Sequence, residues 1–119
     1  MTTTETQTRD GADLARRFIE AFNARDLDGL RALVTDDVEF RNRRGRSFRG
    51  FDGTRDMLRA AEDARLILTR AGEETVAPDG SRIAVPVKVT VGRDQLAETA
   101  VFEIRDGKIA AFEVVGVTA

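Results

Sequence analysis

One carboxylate stands out by its neighbours. In the segment LAETAVFEI, Leu96, Ala100, Phe102 and Ile104 recur at every second position, the spacing of one strand face, and Glu98 falls on that face. Burial disfavours the charged form of carboxylates in general, so an acid facing an apolar cavity is placed to act as acid or base. The competing reading is a residue near the open end of the strand that reaches water or pairs with an arginine. Structural ion pairs of that kind outnumber catalytic carboxylates. A one-residue bulge would turn Glu98 outward. A second polar marker is Asn42, which shares a face with Val38 and Phe40 in VEFRN. Its amide could donate to a ligand carbonyl and accept from a hydroxyl, or it could end the strand and bond to the adjacent loop.

The segment RNRRGRSFRG carries Arg41, Arg43, Arg44, Arg46 and Arg49, with Phe48 among them. Guanidinium groups there could form an anion-binding rim, with Arg41, Arg43, Arg44 and Arg46 as its candidates. Because Asp36, Asp37 and Glu39 lie just upstream and the net charge is −2, a solvated loop balanced by acids is the first reading. Single-stranded nucleic acid is the last of the three. Phe18, Phe22, Phe40, Phe102 and Phe112 all fall on faces expected to point inward. They are either plain core or the lining of a pocket for a flat apolar molecule.

What is missing narrows the chemistry further. The chain has no Cys, no His and no Tyr, so thiolate, imidazole and phenol chemistry are all excluded. Proton transfer falls to Asp, Glu, Lys or Arg. The pairs Asp36-Asp37 and Glu73-Glu74 read as solvated turn and strand ends, and no metal site or cofactor is expected. There is no run of about 18 apolar residues, so no membrane span is expected and a cytoplasmic location is the default.

The elements that must position these groups are legible in the spacing. Met1 to Thr8 is Thr-rich without an apolar face and reads as a disordered tail before a single domain over residues 9–119. Leu14, Phe18, Ala21 and Phe22 mark one face of a helix ending near Ala24, and Asp26 reads as the N-cap of a second helix. Val38 to Arg43 reads as a strand, followed by a loop. Asp52 then caps a third helix bearing Met57, Leu58 and Ala61. Strands follow at Leu66 to Thr75, Ile83 to Val91, Gln95 to Arg105 and Lys108 to Val117, with turns at Pro78-Asp79-Gly80, Gly92-Arg93-Asp94 and Asp106-Gly107. The sum is an α+β domain with three N-terminal helices covering one face of a curved mixed or antiparallel sheet.

In order and spacing, FIEAFNARDLDGLRALVTDDVEF, RGFDGTRDML and AVFEIRDGKIAAFEVV resemble the NTF2-like superfamily, within it the SnoaL-like and ketosteroid-isomerase-like groups. The resemblance covers about Leu14 to Val117. It implies a cone-shaped, cystatin-like α+β fold with an apolar pocket at the wide end, and a homodimer through the outer sheet face. It also implies where isomerase-like members keep their catalytic groups. Phe18 stands at the phenol position, Asn42 at the carboxylate position and Ala100 at the position of the protonated acid, so steroid-isomerase chemistry is not expected. The pocket wall expected from these readings comprises Phe18, Phe22, Val38, Phe40, Asn42, Ala100, Phe102, Phe112 and Val114, with Glu98 as the catalytic candidate. Three functions follow: a pocket protein for a small apolar and potentially anionic molecule; a SnoaL-like cyclase, isomerase, dehydratase or epoxide hydrolase using Glu98; or a dimeric interaction module with a filled cavity. A cavity plugged by Phe18, Phe40 and Phe112 would sink both ligand readings.

Overall fold

A computed structural model describes residues 3–42 and 45–116, with side chains from Gly11 onward. In chain order the elements are α1 (Thr3–Asn23), α2 (Leu27–Leu33), β1 (Val34–Arg41), β2 (Ser47–Arg49), α3 (Gly50–Asp63), β3 (Leu66–Arg70), β4 (Thr75–Val76), β5 (Arg82–Val91), β6 (Asp94–Arg105) and β7 (Lys108–Gly116). The sheet runs β2-β1-β7-β6-β5-β3, with β4 paired to β5. All pairings are antiparallel except β1 with β7, so the sheet is mixed and the fold α+β. No helix of the described residues is long and apolar enough to cross a membrane.

Helix α1 lays Ala15, Phe18, Ile19 and Phe22 on the sheet, while Arg16 and Arg17 form exposed pairs with Asp13 and Glu20 on its other side. The backbone is helical from Thr3, where a tail through Thr8 was expected. Adding residues to a helix already anchored by packing costs far less than starting one. The helix ends on Arg25, whose φ of 57° is left-handed. Asp26 N–H donates to Ala21 O at 2.9 Å and Arg25 N–H to Phe22 O at 3.1 Å, the bond pair of a Schellman stop. The Arg25 guanidinium then reaches Phe22 O (3.0 Å), Ala61 O (3.2 Å), Leu66 O (2.6 Å) and Glu62 Oε2 (2.8 Å). One side chain thus ties the ends of α1 and α3 to the start of β3. Beside it, Asn23 Nδ2 donates to Leu68 O at 2.8 Å and its Oδ1 accepts from Leu68 N–H at 3.0 Å.

Asp26 caps α2 as its position predicts, accepting from Gly29 N–H at 3.0 Å. Asp52 does not cap α3. That helix begins at Gly50, whose φ of +73° turns the chain directly out of β2, so Arg49 holds the cap position and Asp52 sits in the first turn. There its charge still faces the positive end of the helix dipole. Strand β1 starts at Val34, earlier than the expected Val38, and a register irregularity against β7 lets both Val34 and Thr35 face inward. The expected strand from Leu66 to Thr75 is split. Pro86 has no N–H to donate, and a Cβ on Gly72 would lie 3.2 Å from Pro86 Cγ, so the chain leaves the ladder between β3 and β4. The Asp106-Gly107 turn has φ of 54° and 76°, the paired left-handed residues of a tight hairpin.

Candidate functional site

The sheet register orders the inner face into rows. Phe40, Phe112, Phe102 and Ile83 stand side by side across β1, β7, β6 and β5. The next row toward the other end is Val114, Ala100 and Val85; the next is Gly116, Glu98 and Val87; the last is Leu96, Val89 and Leu68. Same-face residues are about 6.6 Å apart along a strand, so Glu98 lies about 13 Å from the phenylalanine row.

That first row is filled. The Phe18 ring stands 4.6 Å from Phe112, 5.3 Å from Phe102, 6.1 Å from Phe40 and 6.2 Å from Phe22, centroid to centroid. Phe102 and Phe112 add a further contact at 5.1 Å. Such pairs contribute about 0.5–1.5 kcal/mol each beyond their burial. The rings, with buried Val38 and Ala100 and half-buried Val114, do converge between α1 and the sheet. They meet one another, so the cavity expected at Phe18, Phe40 and Phe112 is plugged, and a ligand reading survives only for the inner face beyond this level, toward Glu98.

Glu98 faces inward. The β5–β6 ladder is continuous from Arg82↔Glu103 to Val91↔Asp94, so no bulge reverses its side chain, and the residue is only 3% exposed. Thr35 and Thr54 are the other buried polar residues. Thr35 donates to Asp37 at 2.8 Å and Thr54 to Gly50 O at 2.8 Å. Glu98 is therefore the ionisable side chain among the buried residues described.

Asn42 does not join the pocket wall. Strand β1 stops at Arg41, and Asn42 is exposed in the turn, where its Oδ1 accepts from Arg46 N–H at 3.0 Å. Strand alternation no longer governs a residue past the strand end. The described arginines of the expected rim, Arg41 and Arg46, do not converge either. Arg41 alternates with buried Phe40, stands on the outer face and pairs with Glu39 at 3.3 Å; Arg49 reaches the same Glu39 at 3.3 Å. Arg46 lies over the Phe48 ring at 4.6 Å. Arg43 and Arg44 lie outside the described residues. For the described part, the loop balanced by its own acids is what the geometry shows. No group of three or more acidic residues able to hold a metal occurs among the described residues.

On the surface, Asp37 accepts from Thr35 and from Arg105 at 2.5 Å, and these bonds hold its carboxyl below the ordinary value. Asp79 is lowered in the same way by the hydroxyl and N–H of Ser81, at 2.7 and 3.0 Å. A cleft of about 310 Å³ lies beside this Asp79 turn, away from Glu98. It opens between Gly11 and Leu14 of α1 and the turns at 79–81 and 106–107. In the sequence those turns are only breaks between strands. Their convergence depends on long-range pairing that local spacing does not carry.

The helical layer and the mixed sheet define an α+β fold, and comparison places it. The profile of the SnoaL-like domain matches residues 15–112, and the chain belongs to that family. No curated protein matches its sequence. Among solved structures it is similar to a candidate polyketide cyclase from Xanthomonas campestris (23% identity, 93% of each chain covered, TM-score 0.79). It is similar also to a candidate ketosteroid isomerase from Kribbella flavida (27% identity, 100% of this chain and 83% of that one, TM-score 0.74). A third is an epoxide hydrolase of the LEH-like kind from M. tuberculosis (19% identity, 92% and 79% covered, TM-score 0.72).

Proposed function

We propose that this SnoaL-like protein takes up a small apolar molecule on the inner sheet face at the level of Glu98, above a floor of packed phenylalanines. The observation that carries this reading is the buried carboxylate itself. Placing an acid in an apolar interior costs several kcal/mol before its interactions are counted, and an apolar side chain of like volume is often neutral or stabilising there. A carboxylate on the inner face beside Val87 and Ala100 supports a role for Glu98 in holding a ligand. Gly116 beside it is exposed and lacks a side chain, so a ligand would approach Glu98 past it. The ligand would present a hydroxyl, an amine or an acidic C–H to the carboxylate. The described arginines lend no support to an anionic group on it.

If the protein is an enzyme, Glu98 is its acid–base group. The isomerase set does not support a steroid reaction, because Phe18 and Ala100 are apolar and Asn42 lies outside the wall. A second reading is favoured by the ring packing around Phe18: a filled cone that serves as a homodimerising module through outer-face residues such as Thr99, Val101 and Val115. Titration with the neutral dye N-phenyl-1-naphthylamine separates them. The ligand reading expects saturable fluorescence, one dye per chain, weakened in Glu98→Gln and blocked in Gly116→Leu. Absence of saturable binding, together with a higher melting temperature for Glu98→Met, would give the case to the filled module.

A further inference from the structure

The cleft at the opposite end of the sheet has a character of its own. From Ile104 at its floor to Glu98 is six residues along β6, about 20 Å, so the two places are separate. Its volume of about 310 Å³ reaches the lower end of small-molecule sites. Leu14 and Ile104, both half-buried and packed against the core, supply apolar surface, and the buried Gly11 closes the helix side.

The charged groups on its described lining are the carboxylates of Asp79 and Asp106. Among the described residues, the nearby strand cations stand elsewhere by alternation. Arg82, Arg105 and Lys108 each adjoin an inward residue, respectively Ile83, Ile104 and Ile109, and so project to the opposite sheet face. Arg105 is further engaged by Asp37. Hydrogen bonds from Ser81 keep the Asp79 carboxylate ionised and aim it from a fixed turn.

We propose that this cleft is a binding site for a small organic cation with an apolar body, an arylalkylammonium in chemical class. Its hydrocarbon would rest on Leu14 and Ile104 and its ammonium between Asp79 and Asp106. Charge complementarity selects this class: an anion would meet two carboxylates, and a neutral analogue would leave them without a counter-charge. The proposal is independent of any ligand at Glu98.

The test is a titration of the full-length, ¹⁵N-labelled protein with 2-phenylethylammonium, 2-phenylethanol and 3-phenylpropionate. The ammonium should shift the amides of Leu14, Ser81, Ile104 and Gly107 saturably. The alcohol should bind roughly fivefold more weakly, as expected for exposed charge pairs, and the carboxylate should not bind. Asp106→Asn should lower ammonium affinity by a similar roughly fivefold factor, since Asn tolerates the left-handed turn and keeps the fold. Equal binding of ammonium and alcohol, shifts confined to residues 96–100, or an unchanged affinity in both Asp106→Asn and Asp79→Asn would overturn it.

Discussion

Removing the Arg25 side chain tests how the helical layer is fixed to the sheet. Its guanidinium is 19% exposed and serves three backbone carbonyls, those of Phe22, Ala61 and Leu66, besides Glu62. Hydrogen bonds to charged groups contribute about 1.5–3 kcal/mol each when buried, and partial hydration here argues for the lower figure. The two shorter part-buried bonds, to Phe22 O and Leu66 O, give about 3 kcal/mol, and the guanidinium over the Phe22 ring at 5.3 Å adds about 0.5 kcal/mol. Glu62 is 68% exposed on its side chain, so that ion pair adds less than about 1 kcal/mol. Arg25→Ala should therefore cost about 3–4 kcal/mol in urea unfolding with an unchanged m-value. Arg25→Gly should cost about 1 kcal/mol less, because glycine relieves the left-handed φ. Lysine presents a point charge instead of a fork and should recover less than half of the loss. The reasoning fails if Glu62→Gln costs as much as Arg25→Ala, for the ion pair and not the carbonyl clamp would then hold the layers. A cost below about 1 kcal/mol for Arg25→Ala would refute it equally.

Other outcomes follow from single contacts. Arg65 is exposed with a φ of 53°, so Arg65→Gly should raise stability by about 1 kcal/mol, read as a rise in melting temperature. A Cβ on Gly11 would come within 2.6 Å of Ile83 Cδ1; Gly11→Ala should cost about 1–3 kcal/mol, and Ile83→Val should recover part of it in a double-mutant cycle. Phe18→Ala removes the ring at the centre of the cluster and should cost about 3–5 kcal/mol in the same unfolding assay. The Asp37 carboxyl has a folded pKa below its ordinary 3.8, so its contribution is present above that value and is lost as pH falls through the folded pKa. The melting-temperature gap between the parent protein and Asp37→Asn should accordingly close on going from pH 6 to pH 2.

Local features were readable and non-local ones were not. Asp26 as a cap, the Asp106-Gly107 turn and the alternation of β5 each depend on a few adjacent residues. The inward direction of Phe18, Phe40, Phe102 and Glu98 was legible for the same reason. Alternation tells which way a side chain points but not how far its neighbours stand, so it could not distinguish a lined pocket from rings in contact. Asn42 and Arg41 failed at a boundary: one residue past a strand, or on its other face, a group leaves the wall. Strand β2 and the split at Gly72 depend on partners distant in sequence, as does the parallel pairing of β1 with β7.

The bonds from Asn23 and Arg25 have a consequence for how copies of the chain meet. Leu66 and Leu68 lie on β3, the last strand of the sheet, and their outward-facing backbone groups are those taken by these two side chains. An unpaired border of this kind is a template on which a second chain can add a strand. Here the template is already spent, and the other border, β2, is three residues long. Association that lengthens the sheet is thereby disfavoured at both rims, and face-to-face contact is left as the way for one copy to recognise another.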